Sequence, residues 1–289
     1  MSTELPSAYK QIEVEPASRV LGAYLSGFRL DAVSNPDIYE EIRRAVDEFG
    51  VVFMRDQRMT PEDYAKLGRR FGELESGHVA FKTTDDFPEI QHITYEPGDS
   101  VYANHWHADQ TYQKRPAAYS ILRAVKVPSR GSDTLWTSND HMYQTMPVPM
   151  QEMLKGLEVE HDLLYNSARL GGLQDPEIFG RIESLSRRAI HPAVITHPRT
   201  GRELLFVNVL QCRSFVGVQE SINRDLMNLI HNIIQLPDLQ VRLRWAPDTV
   251  AMWDNWSTMH YATFDYGSCS RHMQRLLVKA TCEPSRIAS

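Results

Sequence analysis

The sequence predicts a mainly β domain with flanking helices, arranged as a jelly roll or a barrel. From about residue 78 onward, short apolar runs alternate with turn residues, a pattern typical of these folds. Helical spacing of apolar residues is concentrated in the first third of the chain. No repeat, low-complexity tract or Pro/Gly/Ser-rich linker divides the 289 residues. We therefore expect a single domain over residues 1–289.

Two amphipathic helices are predicted in the first third. Asn35-Pro36 supplies an N-cap and a first helical residue, and the apolar stripe that follows ends at Gly50. Thr60-Pro61 repeats this signal for a second helix, which Gly72 ends. Between the two helices, the fully apolar run Val51–Met54 predicts a buried strand.

The remaining apolar runs are short. Strands are predicted at Val20–Leu30, Ala117–Lys126, Thr134–Thr137, Leu204–Val209, Val241–Trp245, Thr249–Trp253 and Leu276–Ala280. Two further helices are predicted, at Pro149–Leu157 and at Ile222–Ile233, which Pro237 closes. The segment 139–201 is rich in Gly, Pro and Arg. We interpret it as a long insertion that acts as a lid, because long loops are usually functional or mobile.

Charge and cysteine content exclude several classes of partner. Lys and Arg total 31 against 37 Asp and Glu, a net charge of -6, whereas a nucleic-acid partner needs a basic face. No apolar run approaches the roughly 18–20 residues of a transmembrane span, and residues 1–16 have no signal-peptide core. The three cysteines lack CxxC spacing and suit a reducing cytosol. We expect a cytoplasmic protein that binds a small molecule, not a nucleic acid or a membrane.

One histidine-rich segment indicates metal chemistry. The chain has 11 histidines, and His105, His107 and Asp109 alternate in NHWHADQTY. In a strand these three side chains would project from one face. His107 and Asp109, two residues apart, could then chelate one metal, but a third ligand must come from elsewhere in the chain because a strand cannot wrap around a metal. Two histidines and one carboxylate with open positions form the ligand set of non-haem Fe(II) oxygenases. The segment by itself also fits a half-exposed strand with polar outward residues.

The C-terminal region adds a histidine and two arginines. His260 follows a strand and a polar turn, and Arg275 stands fifteen residues later. If the chain is extended there, Arg271, Met273 and Arg275 share one face. Arginine binds carboxylates through two parallel hydrogen bonds, so an interior pair would hold an anion. The alternative is a pair of surface arginines on an edge strand.

With these residues the sequence resembles the Fe(II)/2-oxoglutarate-dependent dioxygenases of the taurine and 2,4-dichlorophenoxyacetate type. The resemblance covers about residues 18–282. In matching order it includes VLGAYLSGFRL, GVVFMRDQRMTPEDYAKLGRRFGEL, WHADQTY, GSDTLWTS, FVN, VRLRWAPDTVAMWDN, HYATFDYG and RHMQR. It implies a double-stranded β-helix, a cupin-like jelly roll. It also implies an oxidoreductase that uses Fe(II), 2-oxoglutarate and dioxygen.

The resemblance also implies roles for particular positions. The catalytic iron ligands would be His107, Asp109 and His260. The cosubstrate would be bound by Thr134, Arg271 and Arg275, with Arg275 and Thr134 on the distal carboxylate of 2-oxoglutarate. Because the metal and cosubstrate perform the oxidation, the protein supplies geometry and a dry cavity.

Substrate contacts are the part that departs from the taurine enzymes. His78 matches a substrate-contacting histidine of those enzymes, but Ala103 stands where they carry Asn for the substrate amine. Candidate substrate-contacting residues are His78, Tyr102, Gln211 and Trp256. Trp256 also fits simple packing beneath its turn. We expect a rebuilt pocket and a substrate other than taurine.

The leading hypothesis is hydroxylation of a C–H bond in a small organic substrate, acidic and possibly aromatic or apolar, with release of succinate and CO2. Hydroxylation that cleaves an aryloxyalkanoate, alkyl sulfate or sulfonate is the alternative. A cupin-like metal hydrolase or isomerase using His105, His107 and His260 is a second enzyme hypothesis. A binding or sensor protein without turnover is the third class. The resemblance also favours a homo-oligomer, a dimer or a tetramer.

Overall fold

A computed structural model describes residues 9–77, 81–97, 99, 104–165, 180 and 188–286. In this part of the chain the helices are α1 (Asp37–Phe49), α2 (Pro61–Arg69), α3 (Asn139–Gln144), α4 (Val148–Lys155) and α5 (Glu220–Ile234). The first eight strands are β1 (Glu13–Pro16), β2 (Ala23–Ser26), β3 (Val51–Met54), β4 (Lys82–Thr84), β5 (Phe87–Tyr95), β6 (Tyr119–Lys126), β7 (Thr134–Ser138) and β8 (Glu158–Asp162). They are followed by β9 (Arg188–Pro192), β10 (Val194–Thr196), β11 (Glu203–Leu205), β12 (Cys212–Phe215), β13 (Gln240–Leu243), β14 (Val250–Asp254), β15 (Thr258–Ala262) and β16 (Arg271–Val278).

Two facing sheets form the centre of the fold. The larger has the order β1-β2-β3-β14-β6-β16-β5-β4, and the smaller has the order β13-β7-β15. Side chains from both sheets meet in one buried cluster, in which Trp136 of the small sheet packs against Phe53 and Trp253 of the large one. This confirms the predicted mainly β jelly roll.

Helices α1 and α2 cover the outer face of the large sheet. The alternation of side chains along β14 shows this arrangement, because successive residues of a strand point to opposite faces. Val250 and Met252 pack in the cluster that holds α1 and α2, whereas Ala251 and Trp253 pack between the sheets. The inner face of the large sheet is therefore the one available to an internal site.

Both predicted helix starts are confirmed with a small shift. Helix α1 begins at Asp37, and the side chain of Asn35 accepts a hydrogen bond from the Asp37 N–H. At the start of α2, Thr60 and Asp63 form a capping box, in which each side chain bonds the backbone of the other. Gly50 ends α1 with a φ of 72°, as expected for a left-handed terminal residue.

Several predicted strand boundaries are wrong, and in Val20–Leu30 only Ala23–Ser26 forms a strand. The strand expected at Leu204–Val209 ends at Leu205. The Asn208 side chain accepts hydrogen bonds from the N–H groups of Leu210 and Gln211, which fixes a turn where the strand would have continued. The strand expected at Leu276–Ala280 is β16, which begins earlier, at Arg271, and ends at Val278.

The segment 139–201 is largely regular where it is described. Helices α3 and α4 and strands β8 to β10 belong to it, and Met142, Leu154 and Val159 are core residues packed with α5. The predicted helix at Pro149–Leu157 is α4, over Val148–Lys155. Residues 166–179 and 181–187, on which a lid would depend, lie outside the described residues. In the described part, no helix is long and apolar enough to cross a membrane.

Candidate active site

Two histidines and one aspartate converge in the interior. One ligand atom from each of His107, Asp109 and His260 lies within 4.8 Å of the other two, and all three side chains are buried. Among the described residues, they are the one group of three or more His, Cys, Asp or Glu side chains close enough to hold a metal ion. The donor set fits the two-histidine, one-carboxylate arrangement of non-haem iron sites.

A backbone bridge joins the two histidines. The N–H of His107 donates to the carbonyl of His260 over 3.0 Å, and the N–H of His260 donates back over 2.7 Å. Their ring centroids are 4.1 Å apart. Nδ1 of His107 lies 2.7 Å from the carbonyl oxygen of His105. Because that oxygen can only accept, Nδ1 carries the proton and Nε2 keeps its lone pair for a metal.

His105 contributes its carbonyl and not its ring to this arrangement. Residues 104–110 form turns and one isolated bridge. The expectation that His105, His107 and Asp109 alternate along a strand is therefore wrong. The His105 ring stays outside the convergent group, so the alternative set of His105, His107 and His260 lacks one ligand.

Asp109 is held by its side chain and its backbone. Its Oδ1 accepts from Nη1 of Arg275 over 2.7 Å, and its Oδ2 accepts from Oγ of Ser120 over 2.6 Å. The Asn255 side chain accepts from the Asp109 N–H over 2.7 Å and donates to the Asp109 carbonyl over 2.8 Å. Each carboxylate oxygen keeps a further lone pair, so these bonds orient the ligand without blocking a metal.

The protonation states favour metal binding. Burial opposes the ionisation of Asp109, but the positive charge of Arg275 holds the pKa of this carboxyl well below its usual range. Burial lowers the pKa of His107, and burial together with His107 lowers that of His260. Two neutral imidazoles and one carboxylate are the states that a divalent cation requires.

Three of the five N–H groups of Arg275 donate hydrogen bonds to its neighbours. Its Nε and Nη2 donate to Oε1 of Gln91 over 3.1 and 2.8 Å, while its Nη1 donates to Asp109. Gln91 lies directly opposite Arg275 in the β5–β16 pair. The Arg275 guanidinium also lies 5.1 Å from the ring centroid of Phe81.

Arg271 is buried, and among the described residues no side chain forms an ion pair with it. It is 7% exposed, and its Nε has no hydrogen-bond partner in the part of the chain that the structure describes. Burial lowers the pKa of Arg271 to about 10, although Tyr266 partly opposes this. A buried guanidinium without a counter-ion is costly, so this position is suited to a bound anion.

Thr134 begins β7, next to Trp245. It is 2% exposed, and its Oγ1 accepts a hydrogen bond from Nε1 of Trp245 over 2.9 Å. Trp245 packs in the cluster that contains Met273, the residue midway between Arg271 and Arg275. Strand periodicity therefore places both arginines on the same inner face of the large sheet as Met273.

The four candidate substrate residues fall in different places. His78 and Tyr102 lie outside the described residues. Gln211 is buried, and its Oε1 accepts from Oγ1 of Thr111, two residues after Asp109. Trp256 packs against Phe206 and donates its indole N–H to the Ala117 carbonyl. Trp256 also lines a separate cavity of about 390 Å³. His107, Asp109 and His260 do not line this cavity.

Sequence reasoning missed three residues that support the site. They are Gln91, Ser120 and Asn255. Ser120 carried a usable signal, because it is a polar residue inside the apolar run of β6. The roles of Gln91 and Asn255 depend on partners 184 and 146 positions away in the sequence, which no local pattern indicates.

Comparisons with known proteins agree with this geometry. A sequence model of the family described as taurine catabolism dioxygenase TauD, TfdA family matches residues 13–277. A sulfonate dioxygenase of Saccharomyces cerevisiae, named as dependent on alpha-ketoglutarate (2-oxoglutarate), is 30% identical over 93% of this chain and 67% of that protein. A sulfate ester dioxygenase of Pseudomonas putida with the same dependence is 29% identical over 92% of this chain and 89% of that protein.

The fold has a matching solved structure. A taurine dioxygenase from Burkholderia xenovorans superposes with a TM-score of 0.79 at 29% identity, over 94% of this chain and 90% of the other. The two-sheet core described above is thus the double-stranded β-helix expected from the sequence.

Proposed function

The chain belongs to the TauD/TfdA family and is an Fe(II)/2-oxoglutarate-dependent dioxygenase, and we propose that His107, Asp109 and His260 hold its iron. The observation that carries this assignment is the convergence of their ligand atoms within 4.8 Å. When bound, Fe(II) and 2-oxoglutarate supply the oxidising chemistry: dioxygen is consumed, succinate and CO2 are released, and a substrate C–H bond is hydroxylated. The protein contributes the ligand set, its orientation and its burial.

We propose that Thr134, Arg271 and Arg275 bind the cosubstrate, with a division of roles that differs from the one expected from the sequence. Arg275 was expected on the distal carboxylate, but it is already paired with Asp109, and three of its five N–H groups donate to Asp109 and Gln91. Arg271 is a buried cation whose Nε has no partner among the described residues. We therefore assign the distal carboxylate to Arg271 and Thr134, and the region beside the iron to Arg275.

The strand geometry supports this division. Arg271 and Arg275 are four residues apart on β16, which is roughly 13 Å of strand. Arg275 reaches Asp109 directly, so it lies at the metal end of the pocket. A cosubstrate that chelates iron at one end would extend away from Arg275, toward Arg271. This orientation leaves one arginine for each end of the pocket.

The substrate proposed is a small organic acid that is hydroxylated at a C–H bond. Cleavage of an alkyl sulfate, a sulfonate or an aryloxyalkanoate by hydroxylation of the adjacent carbon is the second candidate, favoured by the names of the yeast and Pseudomonas relatives. A screen of these classes would measure succinate formation above the rate without substrate. A compound class that does not raise the rate of succinate formation is excluded as the substrate.

We further propose that the enzyme works in the cytoplasm as a homo-oligomer, a dimer or a tetramer. Support for the compartment comes from three free cysteines, of which Cys212 is buried and Cys269 and Cys282 are exposed. Exposed thiols persist in reducing compartments. Cell fractionation tests the location, and light scattering of the purified protein tests the assembly; a monomer at working concentration would contradict it.

The metal assignment is tested by spectroscopy without oxygen. Anaerobic addition of Fe(II) and 2-oxoglutarate should give a weak visible charge-transfer band, because the 2-oxo acid end chelates the iron. His107→Ala should abolish the band. His105→Ala should keep it, because that ring lies outside the convergent group. Absence of the band in folded, metal-loaded wild-type protein would contradict the proposal.

A further inference from the structure

Gln91 is a buried glutamine on the inner face of the large sheet. It lies in β5 and is 0% exposed. The preceding residue, Ile90, packs in the cluster beneath α2, so Gln91 points to the opposite face of the sheet. Its cross-strand neighbour is Arg275, which contacts Asp109. Gln91 therefore belongs to the interior next to the proposed iron ligands.

The orientation of the Gln91 amide follows from its neighbour. Oε1 receives two hydrogen bonds, from Nε and Nη2 of Arg275. A guanidinium has donors and no acceptor, so the oxygen of the amide must face it. The amide nitrogen Nε2 consequently faces away from Arg275. It is buried and has no hydrogen-bond partner among the residues that the structure describes.

A buried amide nitrogen without an acceptor is unusual, because buried polar groups are almost always paired. Gln91 could release Nε2 only by turning its oxygen from Arg275, which would leave two buried charged N–H groups unsatisfied. The structure therefore holds a fixed donor at the edge of the Arg275 and Asp109 pair. A ligand oxygen that arrives there would satisfy it.

Building on the proposed function, we infer that Nε2 of Gln91 donates a hydrogen bond to an anionic oxygen of the ligand bound beside Arg275 and Asp109. The oxygen belongs to a carboxylate, sulfonate or sulfate group, because the adjacent Arg275 charge favours an anion and charge-assisted hydrogen bonds are the stronger ones. Both the 2-oxo acid end of the cosubstrate and the head group of the primary substrate offer this chemistry. Gln91 is then a binding residue as well as the partner that positions Arg275.

Nuclear magnetic resonance can observe this donor directly. The protein is labelled with ¹⁵N-glutamine and loaded with Zn(II), which is diamagnetic, and Gln91→Glu identifies the Gln91 side-chain signal by its loss. Adding 2-oxoglutarate, and then hexyl sulfate, should shift that N–H₂ signal more than any other glutamine side-chain signal. A shift with the first probe assigns the cosubstrate, and a shift only with the second assigns the substrate. No shift with either, while calorimetry shows binding, overturns the inference.

Two variants separate donation from the positioning of Arg275. Gln91→Glu keeps an acceptor for Arg275 but removes the donor, whereas Gln91→Leu removes both. Each should raise the Kd of the responding probe at least about 10-fold. Gln274→Leu is the control, because Gln274 is also buried with an unpaired side-chain oxygen but lies on the opposite face of β16. If Gln91→Glu binds as tightly as wild type, the donor is unnecessary and the inference fails.

Failure of the proposed function has a different signature. Zn(II)-loaded wild-type protein that binds neither probe contradicts the iron and cosubstrate assignment itself, and with it this inference. Wild-type binding that is unaffected in both Gln91 variants overturns the inference alone.

Discussion

Asn255 and Asp109 are joined by a pair of hydrogen bonds in opposite directions. The Asn255 side chain accepts from the Asp109 N–H and donates to the Asp109 carbonyl, and its nitrogen also reaches the Ala117 carbonyl over 2.9 Å. Asn255 follows β14 directly and is 0% exposed. The Asn255 amide therefore fastens the turn that contains Asp109 to the connection between β14 and β15. His260 lies on β15.

Replacing this amide should weaken metal binding. Asn255→Ala leaves the backbone of Asp109 without its buried partners, so the carboxylate loses its fixed orientation. Loss of such supporting contacts typically reduces metal affinity about 10–100-fold. Titration with Zn(II) or anaerobic Fe(II) would measure the change in Kd.

Asn139→Ala is the matched control for this prediction. Asn139 is also buried, and its side chain donates to the backbone of Trp256 in the same turn, without touching Asp109. It should lower the melting temperature and leave the metal Kd within about twofold of wild type. Equal losses of metal affinity in both variants would show that Asn255 acts through general stability.

Replacing Arg271 should raise the stability of the ligand-free protein and weaken cosubstrate binding. Arg271→Met removes a buried charge that no described side chain neutralises, so we expect the ligand-free variant to melt at a higher temperature than wild type. The same change should raise the Kd of 2-oxoglutarate at least about 10-fold, because a hydrogen-bonded charge pair is lost. Differential scanning fluorimetry and the anaerobic charge-transfer titration provide the two measurements.

Arg275→Met supplies the contrast. It breaks the pair with Asp109 and leaves that carboxylate buried without its counter-charge, so the ligand-free variant should melt lower than wild type. Opposite changes in melting temperature from two arginines on one strand follow from their different partners. A lower melting temperature in both variants would contradict the view that Arg271 is unpaired.

The parts of this fold that are set by local sequence could be predicted. The capping residues Asn35 and Thr60 fixed the helix starts, and the apolar run Val51–Met54 gave a buried strand. Each of these depends on neighbours in sequence, which set backbone conformation and burial. The proposed iron ligands were predicted from spacing together with the family resemblance, and no local pattern alone would have joined His260 to His107.

The bent path of residues 104–110 could not be predicted in this way. The alternation of His105, His107 and Asp109 favours a strand, but Asn255 and His260 bind the backbone there and hold a turn instead. Tertiary partners thus override the local pattern at the place where ligands must converge. The roles that we propose for Arg271 and Arg275 could not be predicted for the same reason, since only the fold brings Gln91 next to Arg275.

Gly50 should tolerate no side chain. Its φ is +72°, and an added Cβ would lie 2.8 Å from Leu21 Cδ1 and 2.9 Å from Thr258 Cγ2. Thr258 begins β15, two residues before His260. Gly50→Ala should therefore lower the free energy of unfolding by more than the roughly 1 kcal/mol expected from positive φ alone.

Gly201→Ala separates strain from collision. Gly201 has a φ of +70° but nothing within 4 Å of an added Cβ. The difference between the two variants in urea unfolding would measure the clash with Leu21 and Thr258. Equal losses of unfolding free energy in the two variants would mean that Leu21 and Thr258 move aside at no energetic cost.

His161 should make the protein less stable in acid. It is 0% exposed, and burial, reinforced by His191, holds its pKa well below the usual value. An unfolded histidine takes up a proton near pH 6.5, whereas the folded one stays neutral. The unfolded state therefore binds more protons, and stability is present above pH 6.5 and is lost as the pH falls below it.

Between pH 7.5 and pH 5.5 this effect can lower the free energy of unfolding by up to about 1.4 kcal/mol for one such histidine. His161→Gln can still bond Oγ1 of Thr111, the partner of His161 Nδ1 at 2.9 Å, but it has no proton to take up. Its unfolding free energy should therefore fall less between pH 7.5 and 5.5 than that of wild type. His231→Gln, on the exposed side of α5, controls for the removal of a histidine. Parallel losses for wild type and His161→Gln would show that acid destabilisation arises elsewhere in the chain.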